Sequence, residues 1–152
     1  MGVAAVDFVS REVAENLLFY PDTAVISVTD PGKRAAALPV WFREVLRLSF
    51  YDAVPGDEFI PVPLPGCFDR KMARLVVDFV DHLHAAPASY RLIVHCEEGV
   101  SRSAAIALFA AARTRAQLPG RERAWRANPW VLDQLIAIAP GLDIEIPAPP
   151  AG

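Results

Sequence analysis

The sequence predicts an α/β fold, a single domain whose central, mostly parallel sheet is flanked by helices. Apolar runs of strand length alternate along the chain with segments of helical periodicity, which is the pattern of βα units. One run, YRLIVH at residues 90–95, is apolar without alternation, as in a strand covered on both faces. With 152 residues, 53% of them hydrophobic and 22% charged, the chain is long enough to bury one sizeable core.

Seven segments carry these patterns, and we place them in one domain at residues 1–146, followed by a proline-rich tail at 147–152. The β-branched and apolar runs predict strands in TAVISVT, EVLRLSF and YRLIVH. Helical spacing and capping residues predict helices in SREVAENLLFY (Ser10 as N-cap), DRKMARLVVDFVDHLH (from Asp69), Ser101 to Arg115, and NPWVLDQLIAIA (Asn128 as N-cap, Pro129 in the first turn). The amino-terminal residues before Ser10 have a helix-like pattern.

Composition excludes several classes of partner. A formal charge of −3 provides no basic field for nucleic acid or an anionic membrane, so neither is expected as a partner. Two cysteines, Cys67 and Cys96, are too few for a secreted disulfide framework, and no signal peptide is recognisable, so we expect a cytoplasmic protein. His82 and His84 do not face one another on a helix, and no thiolate or carboxylate cluster lies near them, so no metal site is expected. No cofactor is expected either.

The stretch LIVHCEEGVSRSAAIALFAA places a cysteine where a central strand ends and a buried helix begins. Ligands of parallel sheets bind beyond these carboxyl ends. A tight loop leading into a helix N-terminus directs several N–H groups at one point, and the helix dipole adds partial positive charge there. Gly99 supports a positive φ that curls the loop, and Arg102 supplies a planar fork for two oxygens of a phosphate. The loop therefore predicts an anion site suited to a phosphoryl group.

The same environment favours a reactive sulfur at position 96. A thiol among N–H donors at a helix N-terminus ionises more readily than a free thiol. The alternative is that Cys96 is one more small core residue. Glu97, Glu98 and Arg102 follow it directly, and a core does not accept such residues unpaired. The pattern therefore favours a nucleophile.

HCEEGVSRS, residues 95–103, resembles the His-Cys-x-x-Gly-x-x-Arg-Ser/Thr loop of the cysteine-dependent protein tyrosine phosphatase superfamily, and is most similar to the compact dual-specificity branch. A weaker likeness extends over most of the chain. ANPWVLDQL is similar to a Pro-Asn and Gln-Leu segment near the end of dual-specificity domains. The resemblance implies a protein tyrosine phosphatase-like fold and hydrolysis of phosphate monoesters through a phosphocysteine.

The resemblance also implies a role for each residue of the loop. Cys96 is the nucleophile, Ser103 hydrogen-bonds its sulfur, and His95 orients the loop, although a satisfied core histidine is an equally good interpretation of that residue. The phosphate-binding residues it implies are Glu97, Glu98, Gly99, Val100, Ser101 and Arg102.

The family mechanism needs a carboxylic acid, for which Asp52, Asp57 and Asp69 are candidates. Asp69 has a sufficient role as the start of a helix. We choose Asp52 because it ends a predicted strand, with Asp57 as the alternative. Asp52 is also explained as an ordinary turn residue, and the segment from Asp52 to Cys96 is longer than is usual in compact members of the family.

The expected substrate is a phosphotyrosine-containing protein or peptide, since Glu97 and Glu98 oppose a polyphosphorylated headgroup. The loop PGKRAAALPVWFRE either forms a wall of the peptide site or is a solvated loop with buried aromatics. Cys67 is either a resolving thiol for oxidised Cys96 or a buried structural thiol. Two other functions remain open: a catalytically weak phosphopeptide-binding module, and a phosphatase for an inositol lipid or an RNA 5′ phosphate.

Overall fold

The computed structural model describes residues 2–56 and 62–151. Four strands form one all-parallel sheet in the order β1-β4-β2-β3. The strands are β1 (Gly2–Ser10), β2 (Thr23–Thr29), β3 (Glu44–Ser49) and β4 (Ser89–Cys96), and the helices are α1 (Arg11–Glu15), α2 (Arg70–Ala85), α3 (Arg102–Thr114) and α4 (Pro129–Ile138). A 3₁₀ segment, Arg121–Arg126, precedes α4. The predicted α/β class and the mostly parallel sheet are confirmed.

The two faces of the sheet are covered differently. Helices α2, α3 and α4 pack on one face, where Ile26 and Val94 belong to the main core. On the other face Val25 and Ile93 meet Phe42 in a smaller cluster, which is covered by the segment after α1 and by the loop between β2 and β3. The helical face therefore carries the main core, and the second face is closed mostly by irregular chain.

The amino-terminal segment differs from its prediction. Residues Gly2–Ser10 form a strand paired with β4, with an irregularity between Val3 and Ala5. Because of that irregularity, Val3, Val6 and Phe8 all enter the main core without strict alternation. The following helix begins at its predicted cap, where Ser10 Oγ accepts the Val13 N–H at 3.2 Å, but ends at Glu15.

The other elements agree with the sequence patterns. Strands β2 and β4 are almost entirely buried, whereas β3 lies at the sheet edge and alternates in exposure. Asp69 caps α2 by accepting the Met72 N–H at 2.9 Å, and Asn128 caps α4 by accepting the Val131 N–H at 3.1 Å. Among the described residues, no helix is both long enough and apolar enough to cross a bilayer.

Candidate active site

Cys96 is the last residue of β4 and lies at the carboxyl edge of the sheet. Its side chain is on the helical face and the residue is only 2% exposed. The Sγ atom lies 3.1 Å from Ser103 Oγ, in the first turn of α3, and accepts the Gly99 N–H at 3.3 Å. The loop between β4 and α3 thus curls around the sulfur and brings a backbone donor and a hydroxyl to it.

Gly99 fixes the curvature of this loop. Its φ is +75°, which confirms the predicted left-handed conformation. A Cβ atom at this position would lie 2.4 Å from the backbone nitrogen of Ser10 and 2.5 Å from the carbonyl carbon of Val9. Only glycine therefore lets the loop pack directly against the end of β1.

Arg102 is the first residue of α3 and is 4% exposed. Its Nη1 atom donates to Asp30 Oδ1 and to the Phe50 carbonyl, each at 2.7 Å. Its Nε atom is buried without a hydrogen-bond partner among the described residues. Because a buried donor without a partner is costly, this nitrogen marks a position where an acceptor from outside the chain is favoured.

Asp52 lies at the same edge, three residues beyond β3. Its Oδ1 atom accepts hydrogen bonds from Ser101 Oγ and from Asn128 Nδ2, each at 2.8 Å. Asn128 Nδ2 also donates to the Ala53 carbonyl at 3.0 Å. The Asn128 N–H donates to the Ser101 carbonyl at 3.2 Å, so the residue that caps α4 ties the segment at Asp52 to the loop around Cys96.

The alternative acids have different positions. Asp57 lies outside the described residues, so its place relative to Cys96 stays open. Asp69 is occupied as the cap of α2. Asp52 is thus the candidate acid that the described structure brings to the Cys96 loop.

His95 is fully buried and points to the second face of the sheet, away from the sulfur. Its Nε2 atom lies 2.5 Å from Ser27 Oγ on β2, and its Nδ1 atom lies 3.3 Å from the Cys96 carbonyl. Burial lowers the pKa of the imidazole, so the neutral ring is favoured. In the neutral form that fits both contacts, Nδ1–H donates to the carbonyl and Nε2 accepts from Ser27.

The two acids that follow Cys96 have different environments. Glu97 is half-buried and its Oε1 accepts from Arg11 Nη1 at 3.1 Å, while its carbonyl accepts the Arg11 N–H at 3.3 Å. Arg11 also forms an ion pair with Glu15, in which Nε and Oε2 are 3.3 Å apart. Glu98 is exposed. The negative charge of Glu97 is therefore largely compensated, and the contact fixes the back of the loop to α1.

Residues at the far end of the loop between β2 and β3 do not reach the edge that carries Cys96. Phe42 packs under the sheet, and the backbone N–H of Arg43 donates to the carbonyl of Thr23, the first residue of β2, at 2.9 Å. Because β2 is seven residues long, or roughly 20 Å, this end lies far from the Cys96 loop. Lys33 and Arg34, by contrast, follow the carboxyl end of β2 and are exposed.

Cys67 and Cys96 are both buried free thiols. Cys67 precedes α2, and its N–H donates to the Leu64 carbonyl at 3.1 Å. Its role as a resolving thiol stays a prediction.

Sequence reasoning missed Asp30, Ser27 and Arg11 as parts of this site. Asp30 carries a usable signal, because an acid directly after a buried parallel strand lies at the edge where ligands bind. Ser27 and Arg11 carry no comparable signal, since each reaches the loop only through tertiary contacts.

Comparison of the chain with protein-family models, with curated proteins and with solved structures found no significant match. The function is therefore inferred from the residues of the site.

Proposed function

We propose that this chain is a cysteine-dependent phosphatase that hydrolyses phosphate monoesters, with phosphotyrosine in a protein or peptide as its substrate. The observation that carries the proposal is the pairing of two features in one loop. The sulfur of Cys96 accepts a backbone N–H from Gly99, and Arg102, at the end of the same loop, has a buried Nε without a partner among the described residues. This combination suits a dianionic group held next to a thiolate.

In the first step, the Cys96 thiolate attacks phosphorus and the P–O bond to the leaving group breaks. The loop N–H groups and Arg102 hold the three other oxygens as charge spreads over them. Asp52, in its protonated form, gives its proton to the departing oxygen. The products of this step are a phosphocysteine, a free phenol and the Asp52 carboxylate.

In the second step, water attacks phosphorus and the S–P bond breaks. Asp52 takes a proton from the water, and inorganic phosphate leaves. The Ser103 hydroxyl, 3.1 Å from the sulfur, donates to the thiolate as it reforms. The cycle restores the starting protonation of both Cys96 and Asp52 without a metal or cofactor.

The contacts of Asp52 support its role as acid. Both hydrogen bonds from Ser101 and Asn128 go to Oδ1, which leaves Oδ2 to carry the transferable proton. A donor from the Cys96 loop and a donor from the α4 cap hold the carboxyl in one orientation. Such positioning is what general acid catalysis requires of a side chain on a loop.

The proposal is tested by turnover of a phosphotyrosine peptide, a phosphoserine peptide and 4-nitrophenyl phosphate, with a chelator present. We expect Cys96→Ser to abolish turnover of all three while binding of inorganic phosphate persists, and Cys67→Ser, the matched control, to retain turnover. Turnover by Cys96→Ser equal to that of the wild type would refute the mechanism.

The acid is identified by its dependence on the leaving group. Nitrophenolate leaves without a proton more easily than tyrosine phenolate does. Asp52→Asn should therefore lose about 10²- to 10⁴-fold in kcat on the phosphotyrosine peptide and much less on 4-nitrophenyl phosphate. Asp57→Asn is the comparison, and a larger, leaving-group-dependent loss in that variant would transfer the role to Asp57.

A further inference from the structure

A polar pocket lies on the face of the sheet opposite the main core. It has a volume of about 240 Å³ and is lined by Ser27, Thr29, Lys33, Ala35, Arg47, Leu48 and Ser49. In the register of the parallel pair β2 and β3, Ser27 is opposite Arg47 and Thr29 is opposite Ser49. Alternate residues of a strand share a face, so these four side chains stand together on the second face.

The lining of this pocket combines positive charge with hydroxyl groups. Two cations and three hydroxyls surround the pocket, and none of its lining residues is an acid. Two carboxylates lie near the lining: Asp30, which is engaged by Arg102, and Glu15, which is engaged by Arg11 and the Ala37 N–H. Ser27 and Thr29 are buried here although the same face carries apolar Val25 two residues earlier. Hydroxyls at two successive inward positions are not needed to fill a core, and a hydroxyl is able to donate a hydrogen bond to a polar occupant.

The two cationic residues are both exposed and come from different elements. The Lys33 N–H donates to the Asp30 carbonyl at 3.1 Å, which closes a turn directly after β2. Arg47 Nη1 donates to the Ala36 carbonyl at 3.1 Å, which fixes the guanidinium across the pocket while leaving other N–H groups available. A guanidinium and an ammonium beside hydroxyls are the groups that proteins use to bind phosphate.

We propose that this pocket binds a phosphate-class anion, either free phosphate or a phosphoryl group of a bound substrate, at a site separate from the Cys96 loop. The pocket is smaller than the roughly 300–1,000 Å³ of sites for drug-sized ligands, which suits an anion of this size. Lys33 and Arg47 neutralise its charge, and the hydroxyls of Thr29 and Ser49 donate to its oxygens.

The floor of the pocket is connected to the candidate active site. Ser27 Oγ contacts His95 Nε2, and His95 Nδ1 contacts the carbonyl of Cys96. Ser27 has one proton, which goes to Nε2 in the neutral arrangement. An anion that accepts a hydrogen bond from the Ser27 hydroxyl takes that donor away from His95 Nε2. Its binding therefore changes the hydrogen bonding of His95 and, through Nδ1, the contact with the Cys96 carbonyl. This effect on turnover rests on the proposed phosphatase function, whereas the binding itself does not.

Phosphate binding is tested by titrating the full chain with inorganic phosphate and following backbone amide resonances by NMR. We expect two groups of resonances to shift with separate midpoints, one at Gly99 and Ser101 and one at Thr29 and Ser49. Lys33→Gln combined with Arg47→Gln should weaken the second response at least about ten-fold, through loss of charge-assisted hydrogen bonds. Each single variant should weaken it less, which guards against a folding defect in the pair.

Two further variants distinguish a failure of the pocket proposal from a failure of the phosphatase proposal. Arg34→Gln, the matched control, removes a neighbouring exposed cation that does not line the pocket and should leave both responses unchanged. Arg102→Lys should weaken only the response at Gly99 and Ser101. No response at Thr29 and Ser49, or an equal loss in Arg34→Gln, overturns the proposal. A response confined to Thr29 and Ser49 supports it and argues against the phosphatase.

Turnover assays separate the two sources of the anion. A rise in KM of the Lys33→Gln/Arg47→Gln variant that is confined to a doubly phosphorylated peptide identifies a second phosphate of the substrate as the occupant. Equal KM values for singly and doubly phosphorylated peptides, with a lost response of kcat to free phosphate, identify the free anion.

Discussion

Arg102 and Asp30 form an ion pair in which Nη1 and Oδ1 are 2.7 Å apart. The arginine side chain is 5% exposed, whereas the aspartate is 28% exposed. Asp30 therefore holds the buried guanidinium from the solvent side, and the Phe50 carbonyl holds the same nitrogen from the core. Both contacts use Nη1, so the tether fixes the position of the group without occupying Nε.

Asp30→Asn should lower kcat/KM for an aryl phosphate about 10- to 100-fold. The amide keeps the shape but removes the charge that holds Arg102, so phosphate is bound by a less well-positioned fork. Because Asp30 is partly exposed, we expect a stability loss of only about 1–2 kcal/mol, less than for a fully buried pair. Steady-state kinetics and urea unfolding measure the two effects.

Asp81→Asn is the matched control for that prediction. It breaks the Arg113–Asp81 pair between α3 and α2, whose two side chains are 35% and 46% exposed. Exposed pairs contribute little, so stability should change by less than about 1 kcal/mol and kcat/KM should be unchanged. An equal loss of activity in both variants would contradict a positioning role for Asp30.

Asn128→Asp separates the capping role of Asn128 from its contact with Asp52. A carboxylate still accepts the Val131 N–H, so α4 keeps its cap. The variant loses the amide that donates to Asp52 Oδ1 and to the Ala53 carbonyl, and it places a negative charge beside both acceptors. We expect kcat on a phosphotyrosine peptide to fall about 10-fold or more, together with a loss of stability because position 128 is only 2% exposed.

Asn128→Ser is the comparison, because it also preserves the cap and adds no charge. It should lose less activity than Asn128→Asp. If the two variants are equally active, repulsion at Asp52 does not contribute. If both are also as active as the wild type, the contact between Asn128 and Asp52 is structural only.

The local part of the fold and of the site could be predicted from the sequence. The caps at Ser10, Asp69 and Asn128, and the positive φ of Gly99, depend on a few neighbouring residues, so short sequence patterns contain the information. The position of Cys96 between β4 and α3 follows in the same way from a strand that meets a helix.

The parts that were missed depend on contacts distant in sequence. β1 was not recognised because its irregularity between Val3 and Ala5 breaks the alternation that marks a strand. α1 stops at Glu15 and the chain then crosses the sheet, where Leu17 packs against the cluster of the second face. Asp30 was interpreted only as part of a turn, since nothing near it in sequence indicates Arg102.

Gly99→Ala should disrupt the Cys96 loop. The added methyl meets two strains, a φ of +75° and contacts of 2.4–2.5 Å with the backbone at the end of β1. We expect a stability loss of more than about 2 kcal/mol, above the cost of the left-handed conformation alone, and a loss of most turnover. Thermal unfolding and kinetics measure both.

Gly32→Ala is the control for the strain in φ. Gly32 has a φ of +80°, and a Cβ there meets no atom within 4 Å. The difference between the two variants therefore isolates the clash with Ser10 and Val9. If Gly99→Ala costs no more than Gly32→Ala, the loop is not wedged against β1 as the structure has it.

The buried His95 predicts a pH dependence of stability. Burial lowers the pKa of His95 in the folded protein below its ordinary value of about 6.5. Between the two values the unfolded chain binds more protons than the folded one, so the free energy of unfolding falls as the pH is lowered through and below about 6.5. Between those two pKa values the contribution of one such group approaches about 1.4 kcal/mol per pH unit.

His95→Asn removes the group, so the free energy of unfolding should fall less steeply below about pH 6.5 than in the wild type. The variant is nevertheless less stable at pH 7, because it loses the contacts with Ser27 and the Cys96 carbonyl. Urea unfolding at half-unit steps of pH measures both slopes. Parallel curves for the two proteins would contradict the assignment, because they would place the acid sensitivity in other groups.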